Sequence, residues 1–220
     1  MRYLRLIGIA VLAICAVTAV AASTASAAKI TYSGNGQFTI TSGAGKLETV
    51  SGVQITCKSD VGTGKLAASP ATSAELTVSF RNCEFLGVKC TSTGATAGLI
   101  DTVKLLATLG DVKSKEVAGA LLKPLSGTEF LVPVKCGETA FSVKGSVIGE
   151  FTNKLDTQTN LLTIKFGLKA GEKGKQAITK FAGEEKTNVL ESTIEGKTEV
   201  AGLESTEDLI LTGGSGQLLA

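Results

Sequence analysis

Hydrophobic and polar residues alternate along most of the chain beyond residue 30, which is typical of strands with one buried face. The clearest run places Ala74, Leu76, Val78 and Phe80 on one parity and charged or hydroxyl residues on the other. Similar runs cover residues 141–151 and 162–168. Shorter runs predict further strands at residues 37–41, 53–58, 103–109, 116–122, 130–136, 189–194 and 208–212.

Glycine and small polar residues separate these segments and predict turns. The predicted turns lie at residues 34–36, 42–45, 62–65, 126–127 and 171–174. Gly145 and Gly149 instead fall on the apolar parity of their strand, which indicates a bulge or the close approach of another backbone. Many short strands joined by turns predict an all-β antiparallel sandwich or barrel-like domain.

Residues 96–122 fit two interpretations. Leu99, Val103 and Leu106 have helical spacing, whereas Val103, Leu105, Ala107 and Leu109 alternate as a strand does. We favour a hairpin of strands 103–109 and 116–122.

Residues 1–27 have the three parts of a secretory signal peptide: a basic start, an apolar run from residue 6 to 20, and small residues before a cut. We expect cleavage between Ala27 and Ala28, with an uncleaved membrane anchor as the alternative. Cys15 raises lipid attachment as a further alternative. Ile14 is a poor residue before a lipidated cysteine, and Cys15 lies inside the apolar run.

Four cysteines remain after that cut: Cys57, Cys83, Cys90 and Cys136. An even number in an exported chain predicts two disulfides, and three pairings are possible. Cys57 and Cys136 each share the apolar parity of their strand, whereas Cys83 lies at a strand end, seven residues before Cys90. This favours Cys57–Cys136 and Cys83–Cys90. A four-cysteine zinc site is the alternative, but its usual C-x-x-C spacing is missing.

Charge divides the mature chain into two parts. Removal of the signal peptide leaves 20 basic and 20 acidic residues, a balance that argues against nucleic-acid binding. Residues 171–220 hold nine acids and five bases and are rich in Gly, Thr and Glu. We expect residues 28–170 to form the main β domain and residues 171–220 to complete it.

The inventory of catalytic residues is short. The chain has no His, which excludes Ser-His-Asp and Cys-His nucleophiles and His-ligated metals. Glu184 and Glu185 are the obvious adjacent carboxylates for a hydrolase, and Ser142 with Lys144 is the obvious dyad. The segment 156–160 resembles the start of a calcium loop but lacks its glycine and closing glutamate. We predict no cofactor and no metal.

Several short strings occur in an order that resembles an uncharacterised family of secreted, β-rich proteins of actinobacteria. They are residues 53–57, 62–65, 76–83, 90–95, 145–149 and 174–176. The resemblance implies export and a β-rich domain, and it carries over no activity.

Three functions are compatible with these features. The first is an exported, non-catalytic β domain that binds or has a structural role at the cell envelope, with a wall polymer or envelope protein as partner. The second is a small β-barrel that carries an apolar ligand, and the third is a carboxylate hydrolase.

Overall fold

The described chain is built from strands, which confirms the all-β class. The structure, a computed structural model, describes residues 28–112, 117–181 and 187–219. All regular secondary structure in these ranges is β-strand. The strands are β1 Lys29–Tyr32, β2 Gln37–Ser42, β3 Gly45–Thr49, β4 Gln54–Cys57, β5 Ser59–Leu66, β6 Ser73–Arg81, β7 Glu84–Phe85, β8 Val88–Ser92, β9 Leu99–Asp101, β10 Leu105–Asp111, β11 Ala118–Pro124, β12 Val134–Cys136, β13 Thr139–Gly145, β14 Val147–Phe151, β15 Gln158–Thr159, β16 Leu161–Phe166, β17 Leu190–Ile194, β18 Lys197–Leu211 and β19 Gly216–Leu219.

Eight antiparallel strands close into a barrel, which we call the first barrel. Their order is β16-β14-β11-β10-β6-β5-β2-β18, and β18 pairs back with β16. Along β2, β6 and β16 buried residues alternate with more exposed ones, as the sequence pattern predicts. Of the two predicted architectures, the barrel is therefore the one that forms.

The other long-range pairings close a second ring of strands, which we call the second ring. Its order is β18-β3-β4-β7-β8-β12-β13-β17, and β17 pairs back with β18. Residues 197–204 of β18 pair within the second ring, and residues 205–211 pair within the first barrel. The acidic C-terminal segment thus supplies the one strand that belongs to both. A small sheet of β1, β19 and β15 completes the described fold.

The ambiguous region 96–122 forms strands. β10 and β11 pair antiparallel from Leu105 opposite Pro124 to Asp111 opposite Ala118, so the hairpin interpretation is confirmed. The tip of this hairpin, residues 113–116, lies outside the described ranges.

The run 141–151 forms two strands instead of one. β13 belongs to the second ring and β14 to the first barrel, with the break at Ser146. Gly145 has a φ of 102°, and a Cβ there would lie 2.3 Å from the carbonyl oxygen of Val189. The predicted close approach is therefore real at Gly145. At Gly149 the close neighbours are side chains, those of Ile164 and Phe166.

Two predicted elements are wrong. Residues 62–65 are not a turn but lie in the middle of β5. Glycine is needed at both positions for space. A Cβ at Gly62 would lie 2.5 Å from the backbone carbonyl oxygen of Thr77, and a Cβ at Gly64 would lie 2.2 Å from the Phe38 ring. The strand predicted at 130–136 is shorter, since only Val134–Cys136 is regular.

The four cysteines form two disulfides, but the predicted pairing is wrong. The bonds are Cys57–Cys83 and Cys90–Cys136, not Cys57–Cys136 and Cys83–Cys90. Cys90 lies directly opposite Cys136 across β8 and β12, while Cys83 immediately precedes β7, the neighbour of β4. Parity identified the buried face of each cysteine, but it held no information on which strands are adjacent. Both bonds lie in the second ring and join strands that are neighbours.

Candidate functional site

Side chains fill most of the first barrel. All eight strands contribute apolar residues to the interior, which leaves a cavity of about 70 Å³. A second cavity of about 40 Å³ lies toward the second ring, and Phe80, Phe130 and Leu203 line both. For comparison, an engineered cavity of roughly 150 Å³ holds one benzene. The interior therefore has room for very small molecules only.

Two carboxyl groups are buried in the wall of the first barrel beside the larger cavity. Asp60 on β5 and Glu207 on β18 are 2% and 7% exposed, and Glu207 lines the cavity. Ser42 on β2 lies between them, opposite Asp60 on one side and opposite Glu207 on the other. The row Asp60–Ser42–Glu207 thus crosses three neighbouring strands on the inner face.

Each acid accepts one hydrogen bond from a serine. The Ser42 hydroxyl donates to Asp60 Oδ2, and the Ser205 hydroxyl donates to Glu207 Oε1 over 2.6 Å. The other oxygens, Asp60 Oδ1 and Glu207 Oε2, are buried and accept no hydrogen bond from the described residues. The two side chains are within hydrogen-bonding reach of one another.

Burial dominates the electrostatics of this pair. Burial, followed by the neighbouring Asp60, raises the pKa of Glu207 to about 8. Burial also raises the pKa of Asp60, against the lowering effect of its bonds to Glu207 and Ser42. Burial therefore moves the pKa of each acid above its ordinary value.

The larger open spaces lie on the outside of the molecule. Three surface grooves have volumes of about 440, 500 and 450 Å³. One is lined by Thr39, Thr63 and Thr77, which lie opposite one another on β2, β5 and β6 and are all exposed. Another is bordered by Ser205, the serine that bonds to Glu207. Outer faces thus offer the hydroxyl-rich surfaces that the threonine-rich strands predict.

The third groove is bordered by an exposed apolar hairpin tip between β7 and β8. Leu86 has a φ of 51°, a left-handed conformation that is unfavourable for a bulky side chain, and its surface is 86% exposed. Val88, two residues further on at the start of β8, is also partly exposed. We call Leu86 and Val88 the apolar tip.

The structure places the dyad candidates Ser142 and Lys144 two positions apart on β13. The Lys144 ammonium pairs with Glu191, at 3.4 Å, in a surface ion pair. Residues 156–160 include part of a turn and the whole of the two-residue strand β15. Glu184 and Glu185 lie outside the described residues, as do Cys15 and the predicted signal peptide 1–27. Ala28, just after the predicted cut, is the first described residue.

Sequence reasoning missed the buried acids and the apolar tip. The signal for Glu207 was its parity, since it shares the inner face with Leu209 and Leu211. Asp60 shares its parity with Gly62, Gly64 and Leu66. The two glycines made this strand, β5, look like a turn in the sequence. Leu86 gave no signal, because a leucine before a glycine is ordinary in sequence.

Within the described ranges, no helix is long and apolar enough to cross a membrane. The same residues hold no group of three or more Cys, Asp or Glu placed to bind a metal ion. Comparison with protein-family models, curated proteins and solved structures gave no match.

Proposed function

We propose that this chain is an exported, non-catalytic β domain that acts through its outer surface at or outside the cell envelope. The filled interior is the observation that carries the proposal. Ligand pockets usually measure about 300–1,000 Å³, far more than the 70 Å³ inside the first barrel. Grooves of the necessary size lie on the outside. Two disulfides are consistent with an oxidising, extracellular location.

The apolar tip is the surface that we assign to binding. A left-handed leucine with an exposed side chain costs conformational energy and leaves apolar area in water. Both costs are offset if Leu86 packs against a partner. Strained backbone residues of this kind occur often at binding sites.

Retention on isolated cell walls tests this proposal. We would secrete residues 28–220 from a related host and measure the fraction of wild type, Leu86→Ser and Leu161→Ser that is retained. Leu161 is the matched control, because it is a partly exposed leucine of the first barrel. We expect wild type and Leu161→Ser to be retained and Leu86→Ser to be released.

Two other results are informative. If Thr63→Val is released and Leu86→Ser is retained, the outer-surface proposal stands but the contact lies on the threonine row. If no form is retained by walls or by envelope extracts, the proposal is wrong.

The apolar cavity favours a second candidate, a carrier of an apolar ligand. Its walls are apolar apart from Glu207 and Thr102, but it must expand before it can hold more than a few heavy atoms. Native mass spectrometry of the secreted protein distinguishes the two functions. An added mass that is lost on denaturation would place the carrier first, whereas a bare chain would favour surface binding. A carboxylate hydrolase is the third candidate, and the enclosure of Asp60 and Glu207 gives it the least support.

A further inference from the structure

The buried acids Asp60 and Glu207 present an imbalance of donors and acceptors. Four carboxylate oxygens receive hydrogen bonds from only two serine hydroxyls, and the two remaining oxygens are buried without a donor from the described residues. A buried oxygen without a donor destabilises the fold, and it does so more when it carries charge. A proton on either acid turns an acceptor into a donor directed at the other acid.

The surroundings supply no compensating positive charge. Phe80 lies opposite Asp60 on β6, and Ile164 lies opposite Glu207 on β16. Besides Asp60, the acidic residue that raises the pKa of Glu207 is Asp208, so this neighbour supplies no positive charge either. Cations of the adjoining strands are directed elsewhere: Lys46 pairs with Glu48 and Glu204, while Lys58, Arg81 and Lys165 are exposed. Two ionised carboxylates here would be buried without an ion-pair partner.

We propose that Asp60 and Glu207 share one proton at neutral pH and that this proton makes the domain pH-responsive, most stable in acidic surroundings and weaker as the pH rises. The direction of this pH dependence follows from the difference in proton binding between the folded and unfolded states. In the unfolded chain both acids ionise near pH 4 to 4.5, their ordinary range. The folded protein keeps the proton up to about pH 8, because burial and Asp60 raise the pKa of Glu207. The stability that this proton contributes is therefore fully present below the unfolded values and is lost as the pH rises through about 8.

The location gives this titration a structural consequence. Glu207 lies on β18, in the half of the strand that pairs with β2 and β16, and Ser205 at the start of that half borders an outer groove. A second negative charge at this point acts on the pairings that close the first barrel. The acids thus place a proton-sensitive element in the shared strand.

Urea unfolding between pH 5 and pH 9 tests the proposal. Between the unfolded and folded values, one extra proton is bound on folding, so the folding equilibrium constant of wild type should fall up to about tenfold for each pH unit. We expect Glu207→Gln and Asp60→Asn to remove most of this fall. Glu191→Gln, a change of a surface glutamate paired with Lys144, should leave it intact.

A direct measurement keeps the proposal testable if these variants fold poorly. Infrared difference spectra of wild type should show the carbonyl band of a protonated carboxylic acid at pH 7, and this band should disappear at alkaline pH. Absence of the band at pH 7 would overturn the proposal. So would a melting temperature that rises with calcium chloride in wild type but not in Glu207→Gln, since a cation would then replace the proton.

Discussion

The backbone N–H of Cys90 donates to the carbonyl oxygen of Cys83 over 2.9 Å, yet each of these cysteines is bonded through sulfur to a different residue. The two disulfides are therefore neighbours, and together they connect β4, the start of β7, β8 and β12 in one continuous row. This row makes the second ring the covalently reinforced part of the fold.

The pairing makes a direct prediction for peptide mapping. Digestion without reduction should release one linked pair containing Cys57 and Cys83 and another containing Cys90 and Cys136, and reduction should separate both. A peptide that links Cys83 to Cys90 would contradict the structure.

The same pairing predicts similar stability costs for the two bonds. They close loops of 26 and 46 residues, for which chain entropy gives about 3.5 and about 4 kcal/mol. Urea unfolding of Cys57→Ala/Cys83→Ala and of Cys90→Ala/Cys136→Ala should therefore give losses within about 1 kcal/mol of each other. A much larger loss for one pair would show that strain or residual structure outweighs loop length.

Gly64 should not tolerate a side chain. A Cβ there would lie 2.2 Å from the Phe38 ring inside the first barrel, so we expect Gly64→Ala to lower the free energy of unfolding by about 2–3 kcal/mol. Gly43→Ala is the control, because a Cβ at that position meets no atom within 4 Å. Thermal unfolding measures both. If the clash with the Phe38 ring is the cause, Gly64→Ala should cost less stability in a Phe38→Leu background than in wild type. A double-mutant cycle measures this difference.

Gln176 should stabilise the link between β18 and the residue that follows β16, Gly167. Its amide nitrogen donates to the carbonyls of Gly167 and Leu203, and its oxygen accepts from the Leu203 N–H, all within 3.1 Å. The side chain is buried, so Gln176→Met should cost about 2–3 kcal/mol by leaving these groups without partners. The exposed Gln158 is the control, and Gln158→Met should cost less than 0.5 kcal/mol, roughly the limit for surface changes. Equal costs would contradict this role of Gln176.

Glu48 should show the opposite pH dependence to the buried acid pair. Its hydrogen bond from Gln54, at 2.7 Å, and the nearby Lys46 hold the pKa of Glu48 below its ordinary value of 4.5. The resulting stability is present above pH 4.5 and is lost as the pH falls through the lower, folded value. Glu48→Gln should therefore be less stable than wild type near neutral pH, and the difference should shrink in acid. Unfolding curves at pH 3 and pH 7 measure it, and a constant difference would contradict the assignment.

Parity along the sequence predicted the faces of strands well. Leu76 and Val78 on β6, and Leu162 and Ile164 on β16, are buried as their alternation indicates. Parity failed where glycine replaced an inward side chain, since Gly62 and Gly64 have the composition of a turn but lie inside β5. The missing information was the neighbouring strand β2, whose Ile40 side chain packs over Gly62 and whose Phe38 ring packs over Gly64.

Adjacency of strands could not be read from alternation. Cys57 and Cys136 face the core as expected, but their partners depend on the order of strands around the second ring. The acid pair was missed for the same reason, because Asp60 and Glu207 are 147 positions apart and come together only because β5 and β18 both pair with β2. The alternation of residues predicts which face of a strand is buried, and the order of strands in the sheet decides which buried residues are neighbours.

The position of β18 in the chain constrains when the fold can form. All four of its partners, β2, β3, β16 and β17, come earlier in the sequence, and both closures wait for residues 197–211. A chain that emerges from its amino end therefore presents open sheets with free edges until this strand arrives. If the domain is exported as proposed, the chain would pass through a translocation channel before either ring can close. The late position of β18 would then keep the chain unfolded during export and allow it to fold once β18 has crossed the membrane.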